Sequence, residues 1–168
     1  SIECELHLSP SYNQRVTIPL ASDGLLSSVV AATAAAAAVG TDPAQIFRQV
    51  QTAQAFPHTM EVVNGMNGAT IIDNSYSSNE TGVMNALRHL QRFPQSDKRI
   101  VLLPLIELGS AASEVHARIA KAIASTNTRL YAVSHATDPR TLVTSVTKDL
   151  TTDSVVLIDG RVPAVLVK

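Results

Sequence analysis

Asp73, Asn74, Ser75, Tyr76, Ser77, Ser78 and Asn79 run consecutively between an apolar stretch and a helical pattern. The run offers a carboxylate, two amides and four hydroxyls at one point of the chain. An ordinary loop would need only turn formers, and in an open α/β sheet ligands bind at the carboxyl end of a strand such as the one this run leaves. These groups stand against a helix N-terminus, where backbone N–H groups favour an anion. Asp73 reads as a ligand or metal-water contact, or as a cap for the following helix. Tyr76 and Ser78 are candidate substrate contacts or plain turn residues. Asn79 fits a helix start as well as a ligand. Glu107, in Ile106-Glu107-Leu108-Gly109, lies just past a predicted strand end, as a site residue or as a partner for the adjacent backbone. His116 follows on the next helix, where a packed histidine is the plainer reading. His7, His58, His89 and His135 show no metal-ligand spacing, and no metal site is expected. Arg161 reads as a surface charge.

The elements that position this run follow from periodicity. Residues 2–8 and 14–20 read as strands, the first alternating as IECELHL. A helix over 24–39 stops at Gly40, and Asp42-Pro43 opens another with Asp as N-cap and Pro in the first turn. Residues 60–73 read as a strand, a tight Asn-Gly turn and a second strand. Beyond them, helix 80–92, strand 99–104, helix 111–125, strand 129–133, helix 139–150 and strand 154–158 alternate, with a last strand near 162–167 that Gly160 turns antiparallel. Alternation of this kind predicts an α/β fold, a Rossmann-like mostly parallel sheet with helices on both faces. A smaller α+β part precedes it, giving two domains, 1–56 and 57–168. Ser77 and Glu80 stand three apart as in a capping box, and Val83, Leu87 and Leu90 share one helical face. Asp138-Pro139 repeats the Asp-Pro start, with Leu142, Val146 and Leu150 as the apolar stripe.

Composition sets the outer limits. The 168 residues carry a formal net charge of −1, which gives no footprint for nucleic acid or an anionic membrane. One cysteine, Cys4, excludes a disulfide framework. Glu3 and Glu5 occupy the place of a signal peptide's basic segment, so a reduced cytoplasmic setting is expected. Leu25 to Val39 is almost wholly apolar, but it falls short of the roughly 20 residues of a membrane span. Its alanines predict a buried helix packed closely between other elements.

Two blocks carry a family resemblance. NGATIIDNSYSSNETGVMNAL resembles the Mur ligase signature, and KRIVLLPLIELGSAASEVH resembles that family's second block, a strand ending in Glu-Leu-Gly and a helix bearing a histidine. The resemblance covers about residues 15–135 and is nearest to the branch that adds D-alanyl-D-alanine to a muramoyl tripeptide. It implies three domains in the full-length protein: one for the UDP-sugar, a central one holding ATP and Mg²⁺, and a C-terminal one carrying the incoming amino acid or dipeptide. It implies an ADP-forming amide ligase of peptidoglycan precursor synthesis, in which ATP phosphorylates the carboxylate of a UDP-muramoyl peptide and an amine displaces phosphate. Electrostatic stabilisation dominates such transfers. No G-x-x-x-x-G-K-[ST] run is present. Residues 1–56 are then the end of the central domain and 57–168 the C-terminal domain, with the N-terminal domains missing. Such a fragment is expected to be inactive alone and to hold no cofactor by itself.

The resemblance also assigns roles and shows departures. Asp73 is a ribose contact, and Tyr76 and Ser78 face the phosphate or incoming substrate. Thr59 stands where the family places a ribose-contacting arginine, removing five donors and a charge. Asn74 stands for a second acidic ribose contact. Ser27 takes the place of an asparagine that meets the adenine, with Asp23 replacing a common histidine. Together these changes imply altered nucleotide recognition, or a pseudo-ligase that binds a peptide, carboxylate or partner without ATP. A Rossmann-like domain of unrelated chemistry is the third reading, and the G-x-G-x-x-G turn that would favour it is missing.

Overall fold

The computed structural model describes residues 2–19, 23–76, 78–105, 108–134 and 136–161, with the side chain of Asp23 also left aside. The chain divides into two compact units, Ser1–Phe56 and Pro57–Lys168.

In the first unit, β1 (Ile2–Ser9) and β2 (Tyr12–Ile18) form an antiparallel hairpin. Helices α1 (Asp23–Ala38) and α2 (Pro43–Val50) follow. Gly40 has φ +82°. Its N–H reaches the Ala37 carbonyl and the Thr41 N–H the Ala36 carbonyl, the paired bonds of a Schellman cap. Asp42 caps α2 through the Ala44 N–H, with Pro43 in the first turn. Val16, Ile18, Ile46, Phe47 and Val50 make the core. The expected burial of the alanine helix is corrected here: among the described side chains of α1 only Thr33 is buried, and Val30 is 51% exposed. The hairpin and α2 are the only described elements of this unit that could cover it, and they are too few to enclose a helix apolar on every side.

The second unit is an α/β sandwich. Its strands are β3 (Glu61–Asn64), β4 (Thr70–Asn74), β5 (Asp97–Leu102), β6 (Thr128–Ala132) and β7 (Ser154–Asp159), in the order β3-β4-β7-β5-β6. β3 is antiparallel to β4, and the other pairs are parallel. Between β3 and β4 the expected tight turn is a longer connection: Gly65, a short 3₁₀ turn at Met66–Gly68, and Ala69. The second Asn-Gly pair makes the reversal, with Asn67 at φ 55° and Gly68 at φ 77°. A side chain on Gly68 would stand 2.8 Å from Thr152 Cγ2.

Helices α3 (Glu80–Gln91), α4 (Ala112–Ala124) and α5 (Pro139–Thr147) cover the sheet. Val146, Leu150 and the half-buried Leu142 pack with Val101, Val156, Ile71 and Ile158 on one face. Strand alternation sends the fully buried Ile72, Ile100, Val155 and Leu157 to the other. There Val83, Ala86, Leu87 and Leu90 of α3 and Val115, Ile119 and Ile123 of α4 are buried. Helix α5 stops at Thr147 rather than at residue 150. The guanidinium of Arg99, on β5, donates through Nη1 to the carbonyls of Val146 and Lys148, each at 2.6 Å. That cation satisfies the helix's last carbonyls and lets the chain turn at Asp149, φ 58°. The strand expected near 162–167 lies outside the described residues. No helix among the described residues is long and apolar enough to cross a membrane.

Candidate functional site

The parallel strands β4, β5, β6 and β7 end on one edge of the sheet, and the polar run starting at Asp73 leaves that edge from β4. Ligands of open α/β sheets collect at such an edge. Asp73 sits near its rim, its side chain 22% exposed. Oδ1 accepts the Ser75 N–H at 3.0 Å, closing a local turn. Oδ2 lies 2.7 Å from His58 Nδ1. Burial pushes the Asp73 carboxyl up, but bonds from His58 and Ser75 outweigh it and hold the group below its ordinary value. The hydrogen bond and the charge of Asp73, with a smaller contribution from Glu61, raise His58.

His58 is the residue that sequence spacing hid. Its backbone is left-handed, φ 61°, and so is that of Met60, φ 51°. Three bonds hold this bend, two of them to Asn74 and Tyr76 at and just past the end of β4 and one to Glu61 of β3. The His58 carbonyl accepts the Tyr76 N–H at 3.1 Å, the His58 N–H donates to Glu61 Oε2 at 3.2 Å, and the Met60 N–H donates to Asn74 Oδ1 at 3.2 Å. Glu61 pairs with Asp73 across the β3–β4 ladder, which brings His58, Glu61 and Asp73 together. Only the β3–β4 reversal and the unusual His58 and Met60 backbone create that proximity.

Asn74 points inward and is 8% exposed. Its Oδ1 serves Met60, and its Nδ2 donates to Asp159 Oδ2 at 3.2 Å. Both ends of the amide, expected to serve as a ribose contact, are engaged within the protein. Asp159 itself, at the end of β7, is fully buried and is a second residue that sequence reading missed. Burial raises its carboxyl above the ordinary value, against partial relief from Ser78, Asn74 and Gly160. The Ser78 hydroxyl is near enough to ease that charge but falls short of a hydrogen bond to Oδ1, which has no partner.

The remaining predicted positions are scattered. Tyr76 is 58% exposed on the loop, and Ser78 is half-buried. Asn79 is the N-cap of α3, its Oδ1 accepting the Gly82 N–H at 2.9 Å. The expected Ser77–Glu80 capping box rests on a residue outside the described ones. Glu80 becomes the first helical residue, and its carboxylate takes a bidentate bond from Arg118 on α4 at 2.6 and 2.8 Å. Ser77 lies outside the described residues. Asn79, Gly82 and Asn85 line an open groove of about 520 Å³ with Leu108 and Val115. His116 is exposed on α4, and Thr59 is half-buried beside His58. Ser27 is exposed on α1 of the other unit. Glu107 and His135 lie outside the described residues.

Residues 58–166 match the family model described as Mur ligase, glutamate ligase domain. None of the curated proteins matches the chain. Among solved structures, MurF from Acinetobacter baumannii is 20% identical with a TM-score of 0.74 over 95% of this chain and 39% of that one. The MurF ligase of Thermotoga maritima, solved with ADP, is 17% identical, TM-score 0.70, over 89% and 37%. A pseudomurein peptide ligase type C from Methanothermus fervidus is 19% identical, TM-score 0.66, over 90% and 36%. At such identities the structures establish the shared fold, and the chain spans less than two fifths of each of these proteins. The sheet with its polar edge and the model's match over residues 58–166 converge on one conclusion: the chain belongs to the Mur ligase family, through the family's C-terminal domain.

Proposed function

We propose that this chain is the C-terminal part of an ATP-dependent amide ligase of peptidoglycan precursor synthesis, joining an amino acid or dipeptide to a UDP-muramoyl peptide. The observation that carries the reading is Asp73, a carboxylate held at the rim of the sheet's carboxyl edge in a domain of this family. In it, residues 1–56 are the end of a central nucleotide-binding domain. The exposed apolar α1 supports that assignment, since a helix apolar on all sides is at home inside a larger core.

ATP, when bound, supplies the phosphoryl group that activates the peptide carboxylate, and Mg²⁺ accompanies it. The chain's residues fit one end of that nucleotide only. Asp73 and the exposed His58 offer an acceptor and a donor to a ribose diol, with Thr59 alongside. Nothing in the sequence matches the triphosphate loop, so that cradle belongs to polypeptide outside this chain. Tyr76, Ser78, Asn79, Glu107 and His116 are the residues proposed to meet the incoming substrate. Their work is positioning: bringing the amine into line with the activated carboxylate supplies much of the rate.

A second reading is a pseudo-ligase module that binds a peptide or carboxylate without using ATP, and the inward turn of Asn74 favours it. The test is ADP release by a protein containing this chain and the preceding domain, with UDP-muramoyl peptide and candidate amino acids or dipeptides. Release that requires both substrates supports the ligase. Peptide binding with no nucleotide binding, despite an intact phosphate loop upstream, overturns it in favour of the pseudo-ligase.

A further inference from the structure

His58, Glu61 and Asp73 each present one ligand-type atom, and the three atoms lie within 4.8 Å of one another. One is an imidazole nitrogen and two are carboxylate oxygens, a donor set that suits a borderline divalent cation of the zinc type better than magnesium. Ligands around tetrahedral zinc stand about 3.4 Å apart, as its bond lengths of roughly 2.0–2.2 Å require. His58 Nδ1 and Asp73 Oδ2 are already closer than that, at 2.7 Å. The exposed Glu61 supplies the third ligand atom, within 4.8 Å of the other two.

The ligands are also oriented from behind. Ser75 N–H fixes the other oxygen of Asp73, and His58 N–H fixes a Glu61 oxygen. Such supporting bonds keep metal ligands in place. Among the described residues, neither carboxylate is paired with a lysine or arginine. Two carboxylates and a neutral imidazole then leave a net charge of −2 for a cation to neutralise. Because His58 and Glu61 are exposed, solvent reaches the site and a fourth position stays open to water or to a ligand oxygen.

We propose that His58, Glu61 and Asp73 form a three-ligand site for a zinc-type divalent cation with one open coordination position. The site does not depend on the ligase reading, because it needs neither nucleotide nor a second domain. In it the cation takes the place between His58 and Asp73 that their direct bond occupies in the free protein.

Isothermal titration of the 168-residue chain with zinc chloride tests it. One zinc ion per chain is expected, with affinity falling on the order of tenfold or more in Glu61→Gln and in His58→Gln. Zinc is also expected to shift the backbone amide resonances of His58, Glu61 and Ser75, and magnesium to compete only in large excess. Glu61 is exposed, so thermal melts of Glu61→Gln should match the parent; should that variant unfold, His58→Gln decides alone. His7, 3.6 Å from Glu5 on the first unit, is the control. The proposal is overturned by absence of zinc binding, by binding that both variants leave unchanged, or by binding that His7→Ala abolishes.

Discussion

His58 Nδ1 stands 2.7 Å from Asp73 Oδ2, across fifteen residues and a strand reversal. The pair lies at the rim, with the histidine side chain 60% exposed, so its geometry matters more to a ligand than to stability. On the ligase reading, Asp73→Ala in a protein that includes the preceding domain lowers nucleotide affinity on the order of tenfold, about the worth of one charge-assisted hydrogen bond. The melting temperature is expected to move little. A large thermal shift with unchanged nucleotide binding contradicts this.

Asn79 should show itself as a cap. Replacing it by alanine removes the acceptor for the Gly82 N–H and is expected to destabilise the chain by about 1 kcal/mol in denaturant titration. A variant as stable as the parent would mean that another group caps α3.

Asp159 makes stability fall with rising pH. Its carboxyl is raised in the folded chain, so the folded state holds the proton more tightly than the unfolded one. That advantage is complete below the unfolded value and is lost as pH climbs through the folded value. Asp159→Asn removes the dependence while still accepting from Asn74. Asp97 and Asp153, lowered in the fold, contribute in the opposite sense in both proteins and cancel in the difference. Paired melts from about pH 4, the ordinary carboxylate value, up to about pH 8 should therefore show the variant gaining on the parent as pH rises. A constant difference, or one that shrinks, refutes the assignment.

Arg99 is completely buried. It binds Asp97 Oδ2 through Nε and Nη2 at 2.9 and 2.5 Å, and two carbonyls at the end of α5 through Nη1. Arg99→Ala leaves those carbonyls bare. Asp97 keeps Arg129 and Ser154, which places the cost near the lower end of a broken buried pair, about 3 kcal/mol. Equilibrium unfolding measures it, and a loss below about 1 kcal/mol would show that water replaces the guanidinium.

Features written in short runs of sequence appear where those runs place them. Asp42-Pro43 and Asp138-Pro139 start α2 and α5 because a capping side chain reaches N–H groups only two or three residues ahead. Gly40 closes α1 for the same local reason. Asn79 caps α3 one residue before Glu80 for the same reason. Local signals mislead where burial depends on what surrounds an element, as the exposed alanines of α1 show.

Sequence alone determined the alternation of strands and helices, the polar run after β4 and the family signature around Asp73, because propensity, capping and periodicity act within a few residues. Tertiary structure decided the rest. It set β7 between β4 and β5, joined Asn74 to Asp159 across 85 residues, ended α5 with an arginine 47 residues upstream, and turned His58 onto Asp73. Contacts of that range exist only after the sheet has closed its loops, and which polar groups then face inward or outward follows from strand register rather than residue type.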